Sequence, residues 1–227
     1  MTISDTLPLA DLRRQTEELL RFAAPAEHRQ AAMSFLHRYG EDVIGLRLLH
    51  FFYSYLPEGL DDAVVRLEIL GRRQGFFLLR ATTLLHGYLY LVTAEETVFL
   101  GRAEEGLGDG EILEFFGWRS PEEFSRELAR AQPAEYLGLG VDPESCPVCL
   151  VRQGEIHILG CPVEICPWCG GGLTRCNCRF DRLQRTSMDR DAHLDALAAL
   201  LEKKGRIPFS SATQSPVPAA AEKLLEP

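Results

Sequence analysis

The chain has 227 residues, 46% hydrophobic and 25% charged, a composition that supports a buried core and excludes a fibrous or wholly disordered polypeptide. Its formal net charge of −9 argues against a general affinity for nucleic acid or for an anionic membrane. The first residues, Met1 to Asp5, have neither the basic nor the apolar region of a secretory signal, and no stretch approaches the roughly 20 apolar residues of a membrane span. A cytoplasmic protein is expected.

The first third has helical periodicity. Leu9, Leu12, Leu19, Leu20 and Phe22 recur near helical spacing over 8–23. A second helix is expected over 25–39, with Pro25 at its start, where a missing N–H does no harm, and Gly40 just past its end. A third, over 41–56, carries Val43, Ile44, Leu46, Leu48, Leu49, Phe51 and Phe52. It is apolar on most sides and belongs in the core.

The period then changes to two. Val65, Leu67 and Ile69 alternate with Arg66 and Glu68, and runs at 76–83, 85–93 and 97–102 are rich in aromatic and β-branched residues. Short strands separated by turn residues predict an antiparallel meander. Helices return at 109–116 and after Ser120-Pro-Glu-Glu123, a capping signature. Eleven acidic and four basic residues lie between Glu95 and Glu135, which predicts a solvated acidic face. Leu194, Leu197, Leu200 and Leu201 mark an amphipathic helix over 189–204.

All seven cysteines lie between Cys146 and Cys178. Disulfides would be spread through the fold, so this clustering points to metal ligation. The segment reads Cys146-Pro-Val-Cys149, Cys161, Cys166-Pro-Trp-Cys169-Gly-Gly and Cys176-Asn-Cys178. In a Cys-x-x-Cys turn both thiolates reach one ion, and the amides that follow can donate to the sulfurs. Over about 146–180 this resembles a zinc ribbon with rubredoxin-like knuckles, although Leu150 stands where glycine often follows the first knuckle. The resemblance implies tetrahedral zinc and says nothing of function.

Spacing leaves the pairing open. Both knuckles can share one ion while His157, Cys161, Cys176 and Cys178 take another. Alternatively, Cys146, Cys149, His157 and Cys161 form one site, and Cys166, Cys169, Cys176 and Cys178 form a second, with Cys176 and Cys178 alternating along a strand. Each arrangement uses eight donors, the count for two tetrahedral ions; a single ion with spare thiols is a third alternative. His157, between Ile156 and Ile158, reads more readily as a surface histidine than as a ligand. Zinc is favoured over iron, the main rival for thiolate ligands.

No other chemistry stands out. There is no His-Glu-x-x-His, no Gly-x-Ser-x-Gly elbow and no phosphate or dinucleotide fingerprint, so no catalytic residue is assigned. Arg175, Arg179, Arg182, Arg185 and Arg190 cluster just after the last knuckles and would serve a nucleic-acid-binding regulator, a disfavoured alternative because no aromatic platform accompanies them.

The expected fold is α+β: N-terminal helices packed on a small antiparallel sheet, then a cysteine-rich zinc module and a C-terminal helix. The expected boundaries are a core over 1–135, a linker over 136–145, the metal module over 146–183, a helix over 184–206 and a disordered tail over 207–227. The expected function is non-enzymatic: a zinc-stabilised accessory or interaction module whose partner is another protein, with an iron–thiolate redox protein as a further alternative.

Overall fold

The structure is a computed structural model that describes residues 8–56, 60–130, 132–139, 142 and 144–214. The chain forms two compact units, Thr6–Val141 and the segment from Asp142 onward.

In the N-terminal unit, α1 (Leu9–Ala23), α2 (Arg29–Arg38) and α3 (Val43–Ser54) precede a meander of β1 (Val64–Arg73), β2 (Phe76–Thr83), β3 (Gly87–Val92) and β4 (Thr97–Arg102). Helix α1 buries Leu12, Thr16 and Leu20, a spacing of four that keeps one stripe on one side. Helix α3 buries residues around most of its circumference, including Ile44, Leu46, Leu48 and Leu49, as its sequence requires. Asp42 caps it, accepting from the Gly45 amide at 2.6 Å. Gly45 is needed for close packing, since a Cβ there would lie 2.5 Å from the Tyr39 ring.

A short β5 (Ala134–Glu135) pairs with β1, giving the antiparallel order β4-β3-β2-β1-β5. Register sorts the faces. Phe77, Leu79 and Ala81 share a face with Tyr88 and Tyr90, against which α3 packs. Leu78 and Leu89 point to the other face, where α4 (Gly110–Phe116) and α5 (Pro121–Arg130) supply Leu113 and Phe124. Burying each such side chain contributes about 1.5–3 kcal/mol. The acidic region is thus solvated on its outer side only, and its apolar residues close the second face of the sheet.

The residues read as a linker continue this core. Tyr136 is buried, its amide donates to Leu67 O at 2.8 Å, and its hydroxyl donates to Asp42 Oδ1 at 2.8 Å. The Leu139 amide donates to Asp42 Oδ2, also at 2.8 Å.

The C-terminal unit contains α6 (Cys178–Leu183) and α7 (Asp191–Lys204) and is otherwise built of turns. Its core is two small clusters. One gathers Cys146, Cys149, Val151, Cys161 and Phe209; the other gathers Cys166 and Leu173 with Leu197 and Leu201 of α7. Apolar clusters this small need a covalent or metal staple to be stable. Residues 207–214, read as tail, are ordered on the first cluster: the Phe209 amide donates to Glu155 O at 2.8 Å, and Phe209 O accepts from the Gly154 amide at 2.9 Å. The rest of that expectation, 215–227, lies outside the described residues.

Candidate metal centres

Each Cys-x-x-Cys segment folds into the same turn. In the first, the Leu150 amide donates to Cys146 O at 2.9 Å and the Cys146 amide to Val151 O at 2.8 Å. In the second, the Gly170 amide donates to Cys166 O at 2.9 Å and the Cys166 amide to Gly171 O at 2.7 Å. The residue after each knuckle is left-handed, Leu150 at φ 61° and Gly170 at φ 77°. Glycine adopts this without penalty, whereas leucine pays about 1–2 kcal/mol. The departure noted at Leu150 is therefore a strained residue in an otherwise regular knuckle. Between and around the knuckles the backbone makes turns and single bridges, Ser145 with Arg152 and Ile165 with Gly172.

The donors gather in two quartets. The ligand atoms of Cys146, Cys149, His157 and Cys161 lie within 4.8 Å of one another, as do those of Cys166, Cys169, Cys176 and Cys178. The knuckles do not share a site; each takes its two further ligands from the chain that follows it. All seven cysteines are free thiols.

The first quartet is wholly buried. Cys146 Sγ and Cys161 Sγ are 3.8 Å apart, and Cys149 Sγ is 3.2 Å from His157 Nδ1. Tetrahedral Zn–S bonds of about 2.3 Å place two sulfurs about 3.8 Å apart, so this pair already has the spacing of two zinc ligands. His157 is buried, which corrects its reading as a surface residue. Its Nε2 lies 2.8 Å from Gln214 Oε1, and the Phe209 ring packs edge-on at 5.4 Å.

The second quartet is shallower, with Cys166 buried, Cys176 and Cys178 half-buried and Cys169 exposed. Cys176 and Cys178 do not alternate along a strand: Cys176 follows a turn, and Cys178 opens α6. Trp168 packs beside Cys166, Leu197 and Leu201 as cover.

Within each quartet the thiols shift one another in opposite directions. Hydrogen bonds from Cys149 and Cys161 pull the Cys146 thiol far down, and hydrogen bonds to Cys146 and Cys149 push Cys161 far up. Burial opposes the charged form of His157, but the sulfurs of Cys146 and Cys149 together with Gln214 hold it up to about 10. In the second quartet the Gly171 amide, with Cys178 and Cys166, lowers Cys169, whereas the hydrogen bond to Cys169 raises Cys178 to about 12. A dication at the centre of either quartet would displace the protons that its donors otherwise carry. The donor sets, three thiolates with an imidazole and four thiolates, both suit zinc. Filled this way, neither site keeps an open position.

Sequence reasoning missed the groups that support the quartets. Glu164, with no exposed surface, receives two hydrogen bonds from Arg206, at 2.7 and 2.8 Å, and the same guanidinium donates to His157 O at 2.7 Å. Arg206 and Gln214 lie beyond the cysteine segment, where the only signal was Phe209, an aromatic residue in a Ser- and Pro-rich stretch.

The five arginines do not form one patch. The stem of Arg175 lies on Gly172, Arg179 donates to Leu173 O at 2.9 Å and covers the Phe180 ring, and Arg182 lies over Trp168. Arg185 and Arg190 line an open cleft shared with Asp181, Asp189 and His193, which balances their charge. Among the described residues no helix is long and apolar enough to cross a membrane. Compared with known protein families, curated proteins and solved structures, the chain matches none.

Proposed function

We propose that the chain is a non-enzymatic zinc protein in which two ions hold the C-terminal unit together as an interaction or accessory module. One observation carries this reading: the seven cysteines and His157 divide, without remainder, into two complete quartets. Saturated sites favour a structural over a catalytic ion, because no position is left for water or substrate. A quartet within 4.8 Å encloses a single ion, with no space for the bridging sulfides of an iron–sulfur cluster, and the Cys-Pro-x-Cys knuckles resemble those of zinc ribbons. Free thiols in this number fit a reducing compartment. The nucleic-acid alternative is weakened because Arg179 and Arg182 lie against a carbonyl and rings of the module, and Arg185 and Arg190 share their cleft with Asp181 and Asp189. The partner expected is another protein, with the half-buried Trp168 and exposed Cys169–Gly170 turn as its nearest contact surface.

Chelation tests the reading. Structural zinc contributes on the order of 10 kcal/mol to a small module. Stripping the metal should open residues 142–214 to protease, leave the N-terminal unit resistant, and be reversed by added zinc. An unchanged digestion pattern after complete metal loss would show that the ions are not structural.

A further inference from the structure

The N-terminal unit carries a second candidate site, independent of the cysteines. A groove of about 380 Å³ opens between α3 and the β3–β4 edge of the sheet, a size typical of small-molecule sites. Its walls are aromatic. Phe51 meets Tyr90 at 6.0 Å between ring centroids, Phe52 meets Tyr88 at 6.1 Å, and Tyr90 meets Phe99 at 5.5 Å. Two of the lining rings remain largely in solvent, Tyr55 at 72% and Phe99 at 48% exposure. Rings at such separations present edges and faces that a further flat ring can join.

Among the described residues Arg102 is the only charged one lining the groove. It reaches that position through a β-bulge. Phe99 pairs with Tyr90 and Arg102 with Tyr88, so Leu100 and Gly101 together oppose Leu89. In a regular strand, residues three apart face opposite sides; the extra residue turns Arg102 to the face of Phe99. Gly101, at φ 123°, makes the bulge possible, while Leu100 joins the core on the other face. Among the described residues Arg102 has no ion pair or hydrogen bond. The Glu104 carboxylate, two positions on, is held by the amides of its own residue and of Gly87, with His86 and Arg102 close enough to act on it.

We infer that this groove binds a small aromatic monoanion, an aryl carboxylate, with its ring on the Phe51–Tyr90–Phe99 wall and its carboxylate on Arg102. One guanidinium without a hydrogen-bond partner among the described residues selects one negative charge. It also opposes the ammonium ligands that aromatic cages otherwise attract.

The test is calorimetric titration of the full, zinc-loaded chain with 2-naphthoate, compared with neutral 2-naphthamide and aliphatic octanoate. Naphthoate should saturate one site and bind more tightly than either comparison compound. Arg102→Gln should weaken naphthoate about tenfold or more, the size of a lost charged hydrogen bond, and leave naphthamide unchanged. Phe99→Leu, which keeps an apolar side chain without the ring, should weaken naphthoate and naphthamide alike at an unchanged melting temperature. The assignment is overturned if naphthoate fails to bind at millimolar concentration, if its binding survives both substitutions, or if naphthamide or octanoate binds as well.

Discussion

Gln214 Oε1 stands 2.8 Å from His157 Nε2, although the two residues are 57 positions apart. The amide nitrogen of Gln214 donates to Pro208 O at 3.0 Å, which fixes the oxygen as the atom facing the imidazole. Nε2 therefore carries a proton, and Nδ1, 3.2 Å from Cys149 Sγ, is the nitrogen available to a metal. A residue outside the cysteine segment thus sets the ligand tautomer of the first quartet.

Gln214→Ala should weaken zinc at the first site about 10- to 100-fold, the usual cost of removing the partner of a ligating histidine. Competition with a chromophoric chelator would resolve the two sites, and the four-cysteine site should be unaffected. Unchanged affinity at both would show that Gln214 does not hold the imidazole.

Arg206 tests the support beneath the first quartet. Arg206→Met leaves the Glu164 carboxylate buried without its two hydrogen bonds and frees His157 O. Breaking a buried pair from one side costs about 3–5 kcal/mol, so the denaturation midpoint of the zinc-loaded C-terminal unit should drop sharply. Adding Glu164→Gln should recover part of the loss, because the stranded charge goes with it. Additive losses would mean that the two side chains act separately.

The N-terminal unit should lose stability in alkali. Burial is the main cause that raises Tyr53 to about 12, with its hydrogen bond from the Val64 amide opposing and Asp62 adding. A folded-state value above the ordinary tyrosine value means that the neutral phenol is favoured in the fold. Its contribution is complete below about pH 10 and is lost as pH rises through about 12. Urea midpoints measured across this range should fall, and Tyr53→Phe should flatten the fall. A midpoint independent of pH up to 12 would contradict the burial argument.

Local patterns were legible in the sequence wherever one residue's neighbours decide its conformation. The α3 run, the β1–β4 meander and the Asp109 and Ser120 starts all follow from spacing and caps. The pairing of the cysteines was not legible, because Cys161 and the Cys176–Cys178 pair return to their knuckles through irregular turns that carry no period. His157 illustrates the difficulty. Alternation placed it opposite Ile156 and Ile158, yet the buried side belongs to the histidine and the isoleucines are half-buried. A histidine that converges on three buried cysteines reverses the usual rule that the apolar side faces inward. Tyr136 was read as linker because its partners, Tyr39 and Asp42, are 97 and 94 positions away.

Metal stoichiometry measured by native mass spectrometry, with substitution in each quartet, tests the central claim most directly. The intact, colourless protein should carry two zinc ions per chain, and Cys146→Ser and Cys166→Ser should each retain one. A single ion lost by either substitution would mean that the knuckles share one site, and stoichiometric iron with visible absorbance would contradict the zinc assignment itself.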